Sequence, residues 1–191
     1  MEDIQDSSLG RSPLVLLVDD EFDTLSLLPK IFRADGCDVD LASDGEVALS
    51  KFGEKQYDLI LLDIILPHRD GLEVLRQIRK TDRDIGVIMI SALTSERIVI
   101  DSMLAGADDY VSKPFQIREM RVRVRQVLDK VILRRANARL RAQLHCANLR
   151  IQELLERFVP VEARAEFMDC HLASNDEPII HLPPATALTH E

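Results

Sequence analysis

The chain has 191 residues, of which 46% are hydrophobic and 30% charged, and its formal net charge is −9. That length holds one ordinary domain with an appendage, and the composition excludes a fibrous or wholly disordered chain. No apolar run approaches the roughly 20 residues needed to span a bilayer, so no membrane span is expected.

Residues 1–12 are polar and acidic. They lack the basic flank and apolar stretch of a signal peptide, and they are expected to be disordered. From there to about residue 115 short apolar runs alternate with stretches of helical periodicity. Leu14–Val18, Val39–Ala42, Leu59–Leu62, Val87–Ile90 and Tyr110–Val111 read as strands, and Phe22–Ala34, Glu46–Phe52, Leu72–Lys80 and Ile98–Leu104 as helices. Continuous apolar strands separated by helices predict a parallel sheet covered on both faces, and five such units predict a small doubly wound α/β fold. Asp35-Gly36, Asp44-Gly45 and Asp70-Gly71 supply turn signals between elements. Pro29 falls inside the first helical stretch and predicts a kink or a restart there, because an internal proline costs roughly 3 kcal/mol.

From Gln116 the pattern becomes one long basic helix, with no glycine or proline until Pro160. Its later part fits a heptad. Leu133, Asn137, Leu140, Leu144, Ala147, Ile151, Leu154 and Phe158 are spaced alternately by 4 and 3 residues. Asn137, Leu144, Ile151 and Phe158 take the a positions and the other four the d positions, and an asparagine at a is a register-setting device in parallel dimeric coiled coils. A helical extension over 129–159 that forms a coiled-coil homodimer is therefore expected, against the alternative of an amphipathic helix folded back on its own domain. Beyond Pro160, with Pro178, Pro183 and Pro184 among small and polar residues, residues 160–191 are expected to be a mostly disordered tail, too short for a second core.

Dividing the charge along the chain sharpens its meaning. Residues 1–116 carry 12 basic and 23 acidic side chains, residues 117–157 carry 11 and 4, and residues 158–191 carry 1 and 6. An acidic domain precedes a basic helix and an acidic tail. The helix could give salt-dependent affinity for nucleic-acid phosphates. Without aromatic residues for stacking before Phe158, and beside an acidic domain, a nucleic-acid partner is disfavoured relative to a protein one.

In an open parallel sheet, ligands bind outside the carboxyl ends of the strands. The first strand ends at Asp19-Asp20, the third at Asp63 and the fourth at Ser91, and the fifth leads within two residues to Lys113. Carboxylates gathered this closely repel unless a cation neutralises them, and hard oxygen ligands with few protein groups suit Mg2+. One carboxylate can be a nucleophile that forms an aspartyl phosphate. A cation, a lysine and a hydroxyl can balance charge on the phosphoryl oxygens. No P-loop is present to hold a nucleotide, which points to a phosphoprotein or a small acyl phosphate as donor.

At these residues the sequence resembles the receiver domain of two-component response regulators. The resemblance rests on Leu17-Val18-Asp19-Asp20-Glu21, on Asp58-Leu59-Ile60-Leu61-Leu62-Asp63 with Pro67 and Asp70-Gly71, on Met89-Ile90-Ser91-Ala92, and on Gly106-Ala107-Asp108-Asp109-Tyr110-Val111-Ser112-Lys113-Pro114-Phe115. It covers about residues 13–128. It implies a flavodoxin-like (βα)5 doubly wound parallel sheet, order 2-1-3-4-5, here with a long C-terminal helix, and a cytoplasmic phosphoacceptor protein that is not an enzyme beyond its own phosphorylation and slow dephosphorylation. It further implies that Asp63 is the phosphoacceptor and that a histidine kinase or phosphotransfer protein is the partner. Mg2+ would be held by Asp19, Asp20, Asp63 and the backbone carbonyl of Ile65, and Ser91 and Lys113 would contact the phosphoryl group. Ser91 and Tyr110 would act as the switch pair, and Lys113-Pro114 would be a cis peptide. Ile65 and Leu93 occupy positions that in this family flank the path of the hydrolytic water. Apolar side chains there offer nothing to orient it, so slow self-dephosphorylation is expected.

The cysteines Cys37, Cys146 and Cys170 are odd in number without C-x-x-C spacing, which predicts neither a disulfide framework nor a zinc site and fits a reducing cytoplasm. The five histidines, His68, His145, His171, His181 and His190, have no metal-ligand spacing. The C-terminal third is too short for a winged-helix domain or an effector enzyme. Its run Glu153–Pro160 resembles, over eight residues, the linker before the catalytic domain of some receiver-linked nucleotide cyclases. Output through protein contacts of the helix is the leading expectation, with nucleic-acid binding and a phosphate sink that uses the receiver alone as alternatives.

Overall fold

The structure is a computed structural model that describes residues 11–158. The tail expected over 160–191, and all but the last two residues of the expected N-terminal tail, lie outside the described residues. Five strands, β1 (Leu14–Val18), β2 (Asp38–Ala42), β3 (Leu59–Asp63), β4 (Gly86–Ser91) and β5 (Asp109–Ser112), form one parallel sheet in the order β2-β1-β3-β4-β5. Between them run α1 (Phe22–Ala34), α2 (Gly45–Glu54), α3 (Gly71–Thr81) and α4 (Glu96–Leu104), and α5 (Ile117–Phe158) follows the last strand. This is the flavodoxin-like doubly wound fold with a long C-terminal helix.

The alternation of side chains along each strand sorts the core into two layers. Val15, Leu17, Leu59, Leu61, Ile88, Ile90 and Val111 pack with Leu28 and Phe32 of α1 and with Met120, Val124 and Val127 of α5. Leu16, Val18, Ile60, Leu62, Val87 and Met89 pack with Ala48 of α2 and with Val74, Leu75 and Ile78 of α3. Strands β3 and β4 are buried along their whole length, which explains their unbroken apolar runs.

The turn signals become caps. Asp44 accepts hydrogen bonds from the backbone N–H groups of Glu46 and Val47, and Asp70 accepts one from Leu72, so each satisfies a free donor at a helix start. Gly71 has a steric reason as well: a Cβ there would sit 2.0 Å from the carbonyl oxygen of Asp63.

Two sequence expectations meet a different outcome. Helix α1 runs unbroken through Pro29, so of the expected kink or restart the restart does not occur. Leu28, Pro29 and Phe32 are all buried, and burying a large apolar side chain contributes about 1.5–3 kcal/mol, enough to offset the local cost of the proline. The packing of α5 on the sheet also continues past residue 128, through the fully buried Val131, to Arg134 and Arg135. From Ala136 to Leu154 every side chain is exposed. Leu140–Phe158 belongs to a unit of its own, and its described part is helix alone.

Candidate functional site

The carboxyl ends of β1, β3, β4 and β5 bring the expected residues to one edge. Asp19 follows β1 and is fully buried, Asp63 closes β3 at 4% exposure, and Asp20 beside them is exposed. One carboxylate oxygen from each of the three can lie within 4.8 Å of the others. Lys113, next after β5, reaches into this group: its ammonium donates to Asp63 Oδ2 at 2.6 Å, Asp19 Oδ2 at 2.8 Å and Glu21 Oε2 at 2.9 Å. The remaining carboxylate oxygens are held by backbone. Asp63 Oδ1 accepts from the N–H of Ile65 at 2.9 Å, and Asp19 Oδ1 from the N–H of Glu21 at 2.8 Å.

Burial pushes the Asp63 carboxyl above its usual range, outweighing the hydrogen bonds from Lys113 and the Ile65 N–H that stabilise the anion. The exposed Glu21 carboxyl is held below its usual range by its bond to Lys113. For Lys113 itself, burial acts to lower the pKa, but bonds to Asp19, Asp63 and Glu21 together outweigh it and hold the amine charged. The site is therefore a buried acid, partly neutralised by one lysine and short of positive charge.

Ser91, at the end of β4, is fully buried, and its Oγ accepts a hydrogen bond from the N–H of Leu93 at 3.2 Å. Tyr110 of β5 is half-buried and donates its hydroxyl to the carbonyl oxygen of Leu93, so both residues converge on the chain just after β4. The side chain of Ile65 is half exposed beside the site. The Lys113–Pro114 peptide is cis. His68, in the loop between β3 and α3, has a left-handed backbone with φ 66.

Chemically the arrangement offers a carboxylate nucleophile, an ammonium within bonding distance of it, a nearby hydroxyl, and three carboxylates that fit a hard divalent cation. Sequence reasoning missed one member. Glu21 was visible as the third acid of an acidic triplet, but only the fold brings it to Lys113, 92 residues away in the chain.

The family described as response regulator receiver domain matches residues 15–125. The chain is similar to the transcriptional regulatory protein TrcR of Mycobacterium tuberculosis, 40% identical over 118 residues that cover 61% of this chain and 46% of that protein. It is also similar to the alkaline phosphatase synthesis transcriptional regulatory protein PhoP of Bacillus subtilis, 41% identical over 114 residues that cover 60% of this chain and 48% of that protein. The chain thus spans about half the length of these relatives. Among solved structures it resembles the response regulator protein TrrA of Thermotoga maritima in complex with Mg2+ and BeF, with a TM-score of 0.56 and 37% identity, covering 60% of this chain and 98% of that one.

Proposed function

Because the chain belongs to the response regulator receiver domain family, we propose that Asp63 accepts a phosphoryl group from a histidine kinase or phosphotransfer protein. A carboxylate oxygen of Asp63 attacks phosphorus, the bond from phosphorus to the donor breaks, and the donor keeps that electron pair. The observation that carries this reading is the convergence of Lys113, through its 2.6 Å bond, on Asp63 at the sheet edge where Asp19 and Asp20 also lie. Asp19, Asp20 and Asp63, with the Ile65 carbonyl, would hold Mg2+, which supplies charge neutralisation for the phosphoryl oxygens. Lys113 turns from the carboxylates to the phosphoryl group, and the Ser91 hydroxyl leaves the Leu93 N–H to donate to it. Tyr110, released from the Leu93 carbonyl, follows inward. Incubating the protein with a small acyl phosphate and Mg2+ tests this by intact mass: one added phosphoryl group is expected, none on Asp63→Asn. Labelling at a residue other than Asp63 overturns it.

The output reading assigned to the extension is a protein contact, through a homodimer of α5. It is supported by exposure of the seam: Leu133, Leu140, Leu144, Ile151, Leu154 and Phe158 all lie open to solvent, a repeated apolar stripe suited to a second helix. Asn137 on the same stripe donates its side-chain amide to the Leu133 carbonyl at 3.0 Å. The transcriptional roles in the relatives' names are not carried over, since only about half of each is covered.

A further inference from the structure

At the sheet edge opposite the acidic site lie two more aspartates whose side chains are covered, and neither belongs to the phosphoryl chemistry. Asp58 precedes β3 and is fully buried. Its carboxylate accepts from the N–H of Leu14 at 2.7 Å, from both terminal nitrogens of Arg11 at 2.9 and 3.1 Å, and from Nη1 of Arg135. Arg135 also donates from Nη2 to the carbonyl oxygen of Tyr57 at 2.9 Å. Asp108 precedes β5, its side chain only 5% exposed. One of its oxygens accepts from Nη2 of Arg79 at 3.0 Å and from the N–H of Val87 at 2.9 Å, and the other accepts from Nη2 of Arg134.

We propose that Arg134 and Arg135 are positioning residues that attach the start of the helical extension to the two strands whose far ends carry the candidate phosphorylation site. The two aspartates stand in equivalent places. Asp58 is five residues before Asp63 and Asp108 five residues before Lys113, so each strand has an arginine of α5 at its entrance and a group of the acidic site at its exit. A strand rises about 3.3 Å per residue, and five residues span about 16 Å. Two stiff connectors of equal length therefore join the site to successive residues of one helix. These are not ordinary surface ion pairs, which contribute little. The carboxylate side chains are buried, and although Arg11 stays on Asp58 and Arg79 on Asp108, removing the arginine of α5 takes one charge-assisted bond from each. The junction lies where the packing of α5 ends: Val131 is fully buried and the side chains of Ala136 to Leu154 are exposed. Arginine suits position 135 because its planar fork donates from two separate nitrogens, Nη1 to the Asp58 carboxylate and Nη2 to the Tyr57 carbonyl, a spread that the single nitrogen of a lysine does not reproduce.

The consequence for output rests on the phosphoacceptor reading of Asp63; the attachment itself does not. Hydrogen exchange of the full-length chain, read by mass spectrometry, separates the two. In the double variant Arg134→Gln/Arg135→Gln, amides of residues 129–139 are expected to exchange at least about tenfold faster than in the wild type, while those of β1, β3 and β4 are unchanged. The control Arg139→Gln/Arg141→Gln, which removes the same charge from exposed positions, should leave exchange as it is, and Arg135→Lys should behave like Arg135→Gln. Each single glutamine variant should shift exchange in the same direction by less, so the result does not hang on how the double variant folds. Adding beryllofluoride with Mg2+ should change exchange in 129–139 of the wild type and not of the double variant, while amides near Asp63 and Ser91 respond in both. Unchanged protection of 129–139 in the double variant or a control that loosens equally overturns the attachment, and a wild-type segment that ignores the mimic while amides near Asp63 respond overturns its consequence for output. If amides near Asp63 do not respond even in the wild type, the phosphoacceptor reading fails, and the comparison without mimic still decides the attachment.

Discussion

Lys113 and Asp63 meet at 2.6 Å although 50 residues separate them in the chain. The contact is not exclusive, because the same ammonium also bonds Asp19 and Glu21. On the proposed phosphoacceptor reading, a phosphoryl group on Asp63 would have to draw Lys113 away from these carboxylates.

Glu21 is the weakest competitor, since its side chain is 58% exposed. Exposed ion pairs contribute about 0.2–1 kcal/mol, so Glu21→Gln is expected to tighten beryllofluoride binding by up to about fivefold with Mg2+ held constant. Titration calorimetry measures this, and weaker binding would contradict it.

Burial raises the Asp63 carboxyl above its usual value. A carboxyl raised in the folded state binds its proton more tightly there than in the unfolded chain. Its stabilising contribution is present below the unfolded pKa and is lost as pH rises through the folded one. In metal-free buffer at pH 7 the ionised Asp63 therefore costs stability. Asp63→Asn should raise Tm at about pH 7, with the gain shrinking as pH falls and the wild-type carboxyl takes up its proton. Calorimetric scans across that range check the sign.

Ile65 is half exposed and Leu93 about a third exposed beside the site, with apolar side chains that cannot hydrogen-bond a water. The phosphorylated protein should outlast a lifetime of seconds. Ile65→Asn supplies one orienting hydrogen bond of about 1.4 kcal/mol and should speed phosphoryl loss by about tenfold. Release of inorganic phosphate from purified phosphoprotein measures both.

The exposed a and d residues of α5 make the full-length protein a dimer in solution if the seam is closed by a second copy. Light scattering should give twice the chain mass, and Leu140→Lys combined with Leu144→Lys should give a monomer with an intact receiver. A monomeric wild type, with and without beryllofluoride, would sink the seam as a dimer interface.

Gly71 leaves no room for a side chain, because a Cβ would sit 2.0 Å from the Asp63 carbonyl oxygen. Gly71→Ala should destabilise by about 3 kcal/mol and displace the backbone that carries Asp63, the proposed phosphoacceptor. Denaturant unfolding and acyl-phosphate labelling of the same sample test the two effects together.

Much of this molecule is legible along the chain because the relevant physics is local. The five strands appear as apolar runs bounded by turn residues, and Asp44 and Asp70 mark helix starts through bonds to N–H groups two or three residues on. The acidic residues and Lys113 stand at strand ends, and a parallel sheet must bring such ends to one edge. What the tertiary structure alone decided depends on partners far apart in sequence. Glu21 finds Lys113 across 92 residues, and Arg135 finds Asp58 across 77. Pro29 stays inside an unbroken helix because burial of its neighbours on the sheet outweighs a local cost. The reach of α5 on the receiver, past residue 128 to Arg135, follows from charges that no periodicity reports. Periodicity marks which face of an element is buried, whereas a buried ion pair is specified by where two distant elements come to lie.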